Sequence, residues 1–152
     1  MSLIRLSQIR RDINIPRVWR EEYYNSTFAD TLLVATTTPG TLISVSTTVT
    51  LTETSLIRVN AKCAFLAADN VQYWGNLYLY EGVGGATALR DQNYATCNAG
   101  ASSPAAMRNG CSVLWIGSYA AGPWVFEIRA RGSVANKVTV MYNKMSIDVC
   151  RV

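Results

Sequence analysis

Residues 57–65 read Ile57-Arg-Val-Asn-Ala-Lys-Cys-Ala-Phe65, and every second position in this stretch is apolar. Polar side chains stand between them at Arg58, Asn60 and Lys62. Successive side chains of a β-strand point to opposite faces of the sheet, so this alternation is typical of a strand with one face in the core and one in solvent. The stretch therefore predicts a half-buried β-strand.

Strand patterns of this kind recur along the chain from Thr27 onward and are separated by turn residues such as those of Gly82–Gly85 and Gly132–Asn136. The other expected strands are Ile43–Leu51, Asn76–Tyr80, Ser112–Ile116, Trp124–Ala130 and Val138–Val149, with weaker ones at Thr31–Ala35 and Ala88–Tyr94. About eight short strands and no convincing helix in this region predict an all-β, antiparallel β-sandwich of jelly-roll type. An immunoglobulin-like sandwich is the main alternative. The alternation in the last strand slips near Asn143-Lys144, which indicates a β-bulge.

Residues 1–26 lack strand alternation and are expected to form an extended or partly helical N-terminal arm, followed by the jelly-roll domain at 27–152. Five arginines and one aspartate in residues 1–20 give a net charge of +4, which equals that of the whole chain. Apolar residues alternate with these arginines, so the arm is a candidate for binding an acidic partner; the alternative is a solvated terminus. The candidate residues are Arg5, Ile9, Arg10, Arg11, Ile13, Arg17, Trp19 and Arg20.

The neutral remainder of the chain argues against nucleic-acid binding, which more often uses a basic face on the folded domain. The sequence contains no run of about 18 apolar residues, the length that a membrane-spanning helix needs, so membrane insertion is not expected. The N-terminus has no apolar segment followed by a small-residue cleavage site, so the sequence predicts synthesis in a cytoplasm without a signal peptide.

The sequence offers little catalytic chemistry. It contains no histidine, which excludes Ser-His-Asp and Cys-His arrangements, and its acidic residues are scattered. The four cysteines have no Cys-x-x-Cys spacing: Cys63 and Cys150 are expected to be buried, whereas Cys97 and Cys111 could form a disulfide in an oxidising environment. We therefore expect no enzymatic activity, no metal and no cofactor.

Aromatic residues are the candidate binding groups of the β domain. Trp74, Tyr78 and Tyr80 lie on the strand face opposite Leu77 and Leu79 and could form an exposed strip for a subunit interface or a glycan; core packing is the alternative. Tyr119 belongs to a Gly-rich segment, residues 117–122, that could form a binding rim together with the polar segment 94–109, or could be a plain connection.

Two segments resemble the compact jelly-roll heads of bacteriophage structural proteins, namely tail-fibre heads and capsid decoration (cement) proteins of C1q/TNF-like shape. The first is Asn76-Leu-Tyr-Leu-Tyr-Glu-Gly82. The second runs from Gly117 through Trp124-Val-Phe-Glu-Ile-Arg-Ala130 to the final strand Lys137–Val149. Overall the similarity covers residues 41–149.

This resemblance implies a homotrimer, production inside a host cell and no catalysis. It also implies a virion structural protein whose arm clasps the major capsid protein or other virion subunits. The alternatives are a phage tail or head-fibre domain that binds a host-surface glycan, and a non-viral, lectin-like carbohydrate-binding module.

Overall fold

The computed structural model describes residues 19–27, 31–34, 36–37, 40–43, 46–69, 71–97 and 109–151. Ten strands and no helix lie within these residues. The strands are β1 (Arg20–Thr27), β2 (Thr31–Leu32), β3 (Thr41–Leu42), β4 (Thr47–Leu51), β5 (Ser55–Ala67), β6 (Tyr73–Gly82), β7 (Ala88–Cys97), β8 (Asn109–Tyr119), β9 (Gly122–Gly132) and β10 (Val138–Arg151).

The strands form two antiparallel five-stranded sheets. Sheet A has the order β1-β10-β5-β8, with β2 also paired to β10, and sheet B has the order β3-β9-β6-β7, with β4 also paired to β9. From β4 to β10 the chain crosses between the sheets at every connection except the β6–β7 hairpin. This arrangement is the jelly-roll sandwich that the sequence predicts, with the eight-residue β1 and the two-residue β3 added to the expected eight.

The core lies between the two sheets and is formed by the apolar sides of the alternating strands. On β5, the residues Ile57, Val59 and Phe65 are fully buried, as the alternation at 57–65 predicts. Gly75 of β6 faces the ring of Phe65, and an added Cβ at this glycine would lie 2.5 Å from the ring. The absence of a side chain at Gly75 therefore makes room for a large aromatic residue of the other sheet.

A β-bulge divides β10, where the sequence pattern slips. Met141 pairs with Ala64 and Lys144 pairs with Lys62, so two residues of β10 face the single residue Cys63 of β5. Before the bulge, Val138 and Val140 face the core, and after it Met145, Ile147 and Val149 do. The extra residue thus moves the apolar set from even to odd positions and keeps both halves of the strand packed against the core.

The N-terminal boundary differs from the prediction. Residues 20–26, which the sequence pattern placed in the arm, belong to β1 and pair with β10 at the edge of sheet A. The sequence of β1 is polar and lacks alternation, which an edge strand tolerates because it has a neighbour on one side only. The remaining arm residues Arg5, Ile9, Arg10, Arg11, Ile13 and Arg17 lie outside the described residues.

Candidate interaction surfaces

The outer face of sheet B carries the aromatic residues that the sequence suggested as an exposed strip. Trp74 is 39% exposed, but Tyr78 and Tyr80 are buried at 1% and 7%. Two arginines of the neighbouring strand β9 cover them: the guanidinium of Arg129 lies 5.2 Å from the ring centre of Tyr80, and that of Arg131 lies 5.9 Å from that of Tyr78. The prediction of an exposed strip is therefore wrong for both tyrosines.

The arginines cover these rings with both parts of their side chains, the aliphatic stem and the charged guanidinium. An arginine stem contributes apolar area, and its guanidinium is attracted to the face of an aromatic ring. Arg129 is held in place by Glu127, whose Oε2 accepts a hydrogen bond from Nη2 at 2.6 Å. Arg131 also lies 5.3 Å from the centre of the Trp74 ring. Periodicity alone does not reveal this cover, because it depends on which residues the neighbouring strand presents.

Tyr94 is an exposed aromatic residue that the sequence pattern did not single out as a binding residue. It lies on β7 opposite Asn76 of β6, and 68% of it is exposed. On the other side of Asn76 stands Arg131 of β9. Trp74 and Tyr94 are thus exposed aromatic residues of this part of the face, and the amide of Asn76 and the guanidinium of Arg131 are their polar neighbours.

Tyr119 lies in the interior of the molecule and not on a rim. Strand β8 extends to Tyr119, which is only 4% exposed, so the prediction of a surface binding residue is wrong. Its hydroxyl donates a very short hydrogen bond to Oε2 of the buried Glu81 and accepts one from Trp115 Nε1 at 2.7 Å. Its ring packs edge-on against Trp124, with ring centres 4.8 Å apart.

A buried polar network therefore connects the two sheets near the ends of β6 and β8. Arg90 of β7 donates from Nε to Glu81 Oε1 at 2.5 Å, so both carboxylate oxygens of Glu81 are used. Burial, followed by the hydrogen bond and the charge of Glu81, raises the pKa of Tyr119 well above its usual value. The network keeps a buried carboxylate paired and hydrogen-bonded, which burial of a charge requires.

The four cysteines are buried and carry free thiols. This confirms the prediction for Cys63 and Cys150. Cys97 and Cys111, which the sequence suggested as a possible disulfide, are not joined, and the cross-strand partner of Cys111 is Cys63. Burial raises the pKa of the Cys111 thiol to about 11 and raises that of Cys63 as well, which is typical of unreactive, structural cysteines.

The outer face of sheet A is the second candidate surface. Trp19, which precedes β1, lies over Arg58 of β5, with the guanidinium carbon 4.8 Å from the ring centre. Arg58 in turn donates to Asp148 of β10 at 3.0 Å. Trp19 was expected to contact a partner, but its described contact is with its own domain. The Trp19 ring therefore lies on the outer face of sheet A.

The same face carries exposed apolar residues on the edge strand β8. Leu114 and Ile116 are 56% and 51% exposed, and they stand opposite Asn60 and Arg58 of β5. The edge of β8 itself is partly covered by β7, since Asp91 accepts a hydrogen bond from the backbone amide of Leu114 at 2.9 Å and Asn93 donates to the carbonyl of Ser112 at 2.9 Å. The open apolar area of this strand is therefore its outer face.

Within the described residues, no group of three or more histidine, cysteine, aspartate or glutamate side chains is placed to hold a metal ion. The described part of the chain also contains no helix with the length and hydrophobicity needed to cross a bilayer.

Comparison with known proteins shows neither a family nor a function for this chain. No protein-family model matches the sequence. No curated protein matches it. A solved structure of the Eiger TNF from S. frugiperda is similar over 69% of this chain, with a TM-score of 0.41 and 12% sequence identity. The match spans 64% of that protein's chain, so this chain covers less than two thirds of it.

Proposed function

We propose that the protein is a virion structural subunit: a homotrimeric jelly roll that decorates and cements a bacteriophage capsid through its N-terminal arm. The partners would be two further copies of this chain and the major capsid protein or other virion subunits. The proposal places the protein in the virion after synthesis in the host cytoplasm.

The observation that carries this proposal is the position of Trp19 over Arg58 on the outer face of sheet A. It supports an arm that leaves the domain beside the exposed Leu114 and Ile116, so that arm and apolar face lie on one side of the molecule. Residues 1–20 hold the whole net charge of +4, which suits an acidic partner surface. The sequence resemblance to phage decoration proteins agrees with such a role.

The cost of ordering the arm also favours a multi-subunit setting. Fixing the backbone of the eighteen residues before Trp19 would cost on the order of 18–36 kcal/mol. At about 25 cal/mol per Å² of apolar surface, offsetting this cost requires burial of at least roughly 700 Å². Neighbouring subunits can supply such an area, and the contacts would then hold several subunits together.

Deleting residues 1–18 tests the arm. The deletion leaves β1 in sheet A, whereas a cut after residue 24 would remove most of that strand. We expect the truncated protein to fold but to be lost from purified virus particles of the host system, as measured by density-gradient sedimentation and mass spectrometry. A full-length variant in which serine replaces Arg5, Arg10, Arg11 and Arg17 keeps the length of the arm but removes most of its positive charge. It therefore shows how far attachment depends on charge. Full attachment of the truncated protein to particles would contradict the proposal.

A second candidate function is glycan binding, either by a fibre head or by a lectin-like module. The exposed Trp74 and Tyr94 on the outer face of sheet B favour it, because planar aromatic faces stack on sugar rings and nearby amide and guanidinium groups can bind hydroxyls. On this surface Arg131 already lies over Trp74, which leaves part of the indole available.

A glycan array probed with the full-length protein tests this candidate. If it is right, Trp74→Ala and Tyr94→Ala should each abolish the signal, whereas Leu89→Ala, an exposed apolar residue of the same hairpin, should keep it. Binding that survives both aromatic substitutions, or no binding on the array, would remove this candidate.

A further inference from the structure

Lys62 and Lys144 stand directly opposite each other on β5 and β10, on the outer face of sheet A. Residues 46–69, 71–97 and 109–151 contain six carboxylates. Five of these form ion pairs with an arginine or lysine, the pairs being Arg58–Asp148, Arg90–Glu81, Arg129–Glu127, Lys137–Asp69 and Arg151–Glu53. The sixth, Asp91, accepts hydrogen bonds from the backbone amides of Leu114 and Gln92.

No carboxylate in residues 46–69, 71–97 and 109–151 therefore pairs with either of the two facing lysines. Like charges at directly opposed positions of a sheet are destabilising. The bulge in β10 produces this pairing, because without the extra residue Asn143 would stand opposite Lys62. Tyr142 in the bulge has a φ of 53°, a left-handed backbone conformation that residues other than glycine adopt at a cost. A strained bulge thus holds two positive groups side by side.

A shallow cavity of about 150 Å³ lies between these lysines, lined also by Asn60, Ser146 and Met145. Its polar groups are two ammonium groups, one amide and one hydroxyl, and all of them can donate hydrogen bonds. A volume of this size is more than one water needs, so the cavity can admit a small polar group.

We propose that this cavity binds a tetrahedral oxyanion, a phosphate or sulfate group. Such a group has five heavy atoms, and a phosphate monoester carries a charge of about −1.5 to −2 at pH 7, which matches two lysines. A carboxylate has one negative charge and would leave one lysine uncompensated. Arg58 on the same face is already engaged by Asp148 and Trp19, which leaves the two lysines as the anchoring charges.

Titration of the full-length protein with inorganic phosphate and with sulfate tests this site. Isothermal calorimetry and amide chemical shifts in NMR should be recorded at constant ionic strength set by chloride. We expect saturable binding that shifts the amides around Asn60 and Ser146. Lys62→Gln and Lys144→Gln should each weaken it at least tenfold. Lys137→Gln should leave the affinity unchanged, because Lys137 lies outside the cavity and is paired with Asp69.

The outcomes are distinguishable. Absence of saturable binding, unchanged affinity in both lysine variants, or equally tight binding of acetate would overturn the proposal. A phosphoserine amide and a sulfated monosaccharide test whether the natural ligand is a free ion or a group attached to a larger molecule. If they bind more tightly than inorganic phosphate or sulfate, the site recognises an attached group. If they bind equally tightly, it recognises the free ion. Normal amide spectra of the variants show that they fold. The proposal is independent of capsid attachment, so either can fail alone.

Discussion

Glu81 is the central residue of the buried polar network between the sheets. Its side chain is 3% exposed and bonds Arg90 of β7 and Tyr119 of β8. Glu81→Gln removes the charge but keeps the size, so it should leave Arg90 without its partner and weaken the bond from Tyr119. Because Arg90 is 40% exposed and water can solvate it, we expect a loss of about 2 kcal/mol in the free energy of unfolding, measured by urea denaturation.

The matched control for this substitution is Glu53→Gln. Glu53 pairs with Arg151 at 3.4 Å, and the two side chains are 52% and 70% exposed. An exposed pair of this kind contributes little, so the control should change stability by less than about 0.5 kcal/mol. Equal effects of the two substitutions would contradict a structural role for the buried network.

The buried thiols predict a loss of stability at alkaline pH. Burial raises the pKa of Cys111 to about 11, whereas an unfolded cysteine titrates near 8.5. Above that pH the folded state holds a proton that the unfolded state has lost, so the free energy of unfolding falls as pH rises. The stabilisation is complete below about pH 8.5 and decreases towards pH 11, by at most about 1.4 kcal/mol per pH unit for each thiol.

Urea denaturation between pH 7 and pH 10.5 measures this slope. Cys111→Ala should make the decline shallower, since one of the titrating thiols is gone. Val113→Ala, which truncates another buried residue of β8, should lower stability at every pH and keep the full slope. An unchanged slope in the Cys111 variant would show that this thiol does not contribute.

At the scale of the element, the bulge in β10 is the feature with the most consequences. It decides which residues of the strand face the core, and it places Tyr142 at φ 53°. Glycine accepts this conformation without strain, so Tyr142→Gly should be more stable than Tyr142→Ala by about 1 kcal/mol. Comparing the two truncations cancels the loss of the ring contacts. Thermal and urea unfolding measure the difference.

For Tyr94, in the regular strand β7, we expect the glycine and alanine variants to differ in stability in the opposite direction. It is exposed, and its backbone does not have a positive φ. Glycine within a strand costs conformational entropy, so Tyr94→Gly should be less stable than Tyr94→Ala by about 0.5–1 kcal/mol. The same sign of difference at both positions would show that the left-handed conformation of Tyr142 has no energetic effect.

The long strands could be predicted from the sequence because each has one face in the core. Buried and more exposed residues alternate in β5, β9 and β10, and the alternation shifts at the bulge, as one-sided packing requires. Strand β1 could not be predicted, because an edge strand need not alternate. Nor could the burial of Tyr78 and Tyr119, since it depends on Arg131 and Glu81, which reach them from other strands.

Over the whole molecule, the two outer faces have different characters. On that of sheet B, arginines stack on Tyr78 and Tyr80, and the exposed Trp74 and Tyr94 have polar neighbours in Asn76 and Arg131. That of sheet A keeps Leu114 and Ile116 exposed, and Ile116 stands opposite Arg58, over which Trp19 lies. Exposed apolar residues grouped on one face are typical of protein interfaces. We therefore assign the subunit contact of the proposed trimer to the outer face of sheet A.

This assignment predicts that Leu114→Ser with Ile116→Ser converts the oligomer to monomers without unfolding the domain. Both side chains are more than half exposed in a single chain, so their loss removes little core packing. Light scattering coupled to size-exclusion chromatography should show the mass falling from three copies to one, while circular dichroism stays unchanged. Val83→Ser, at an exposed position in the β6–β7 turn, should leave the trimer intact because it lies in sheet B's hairpin. A double variant that remains trimeric would place the subunit contact on another surface.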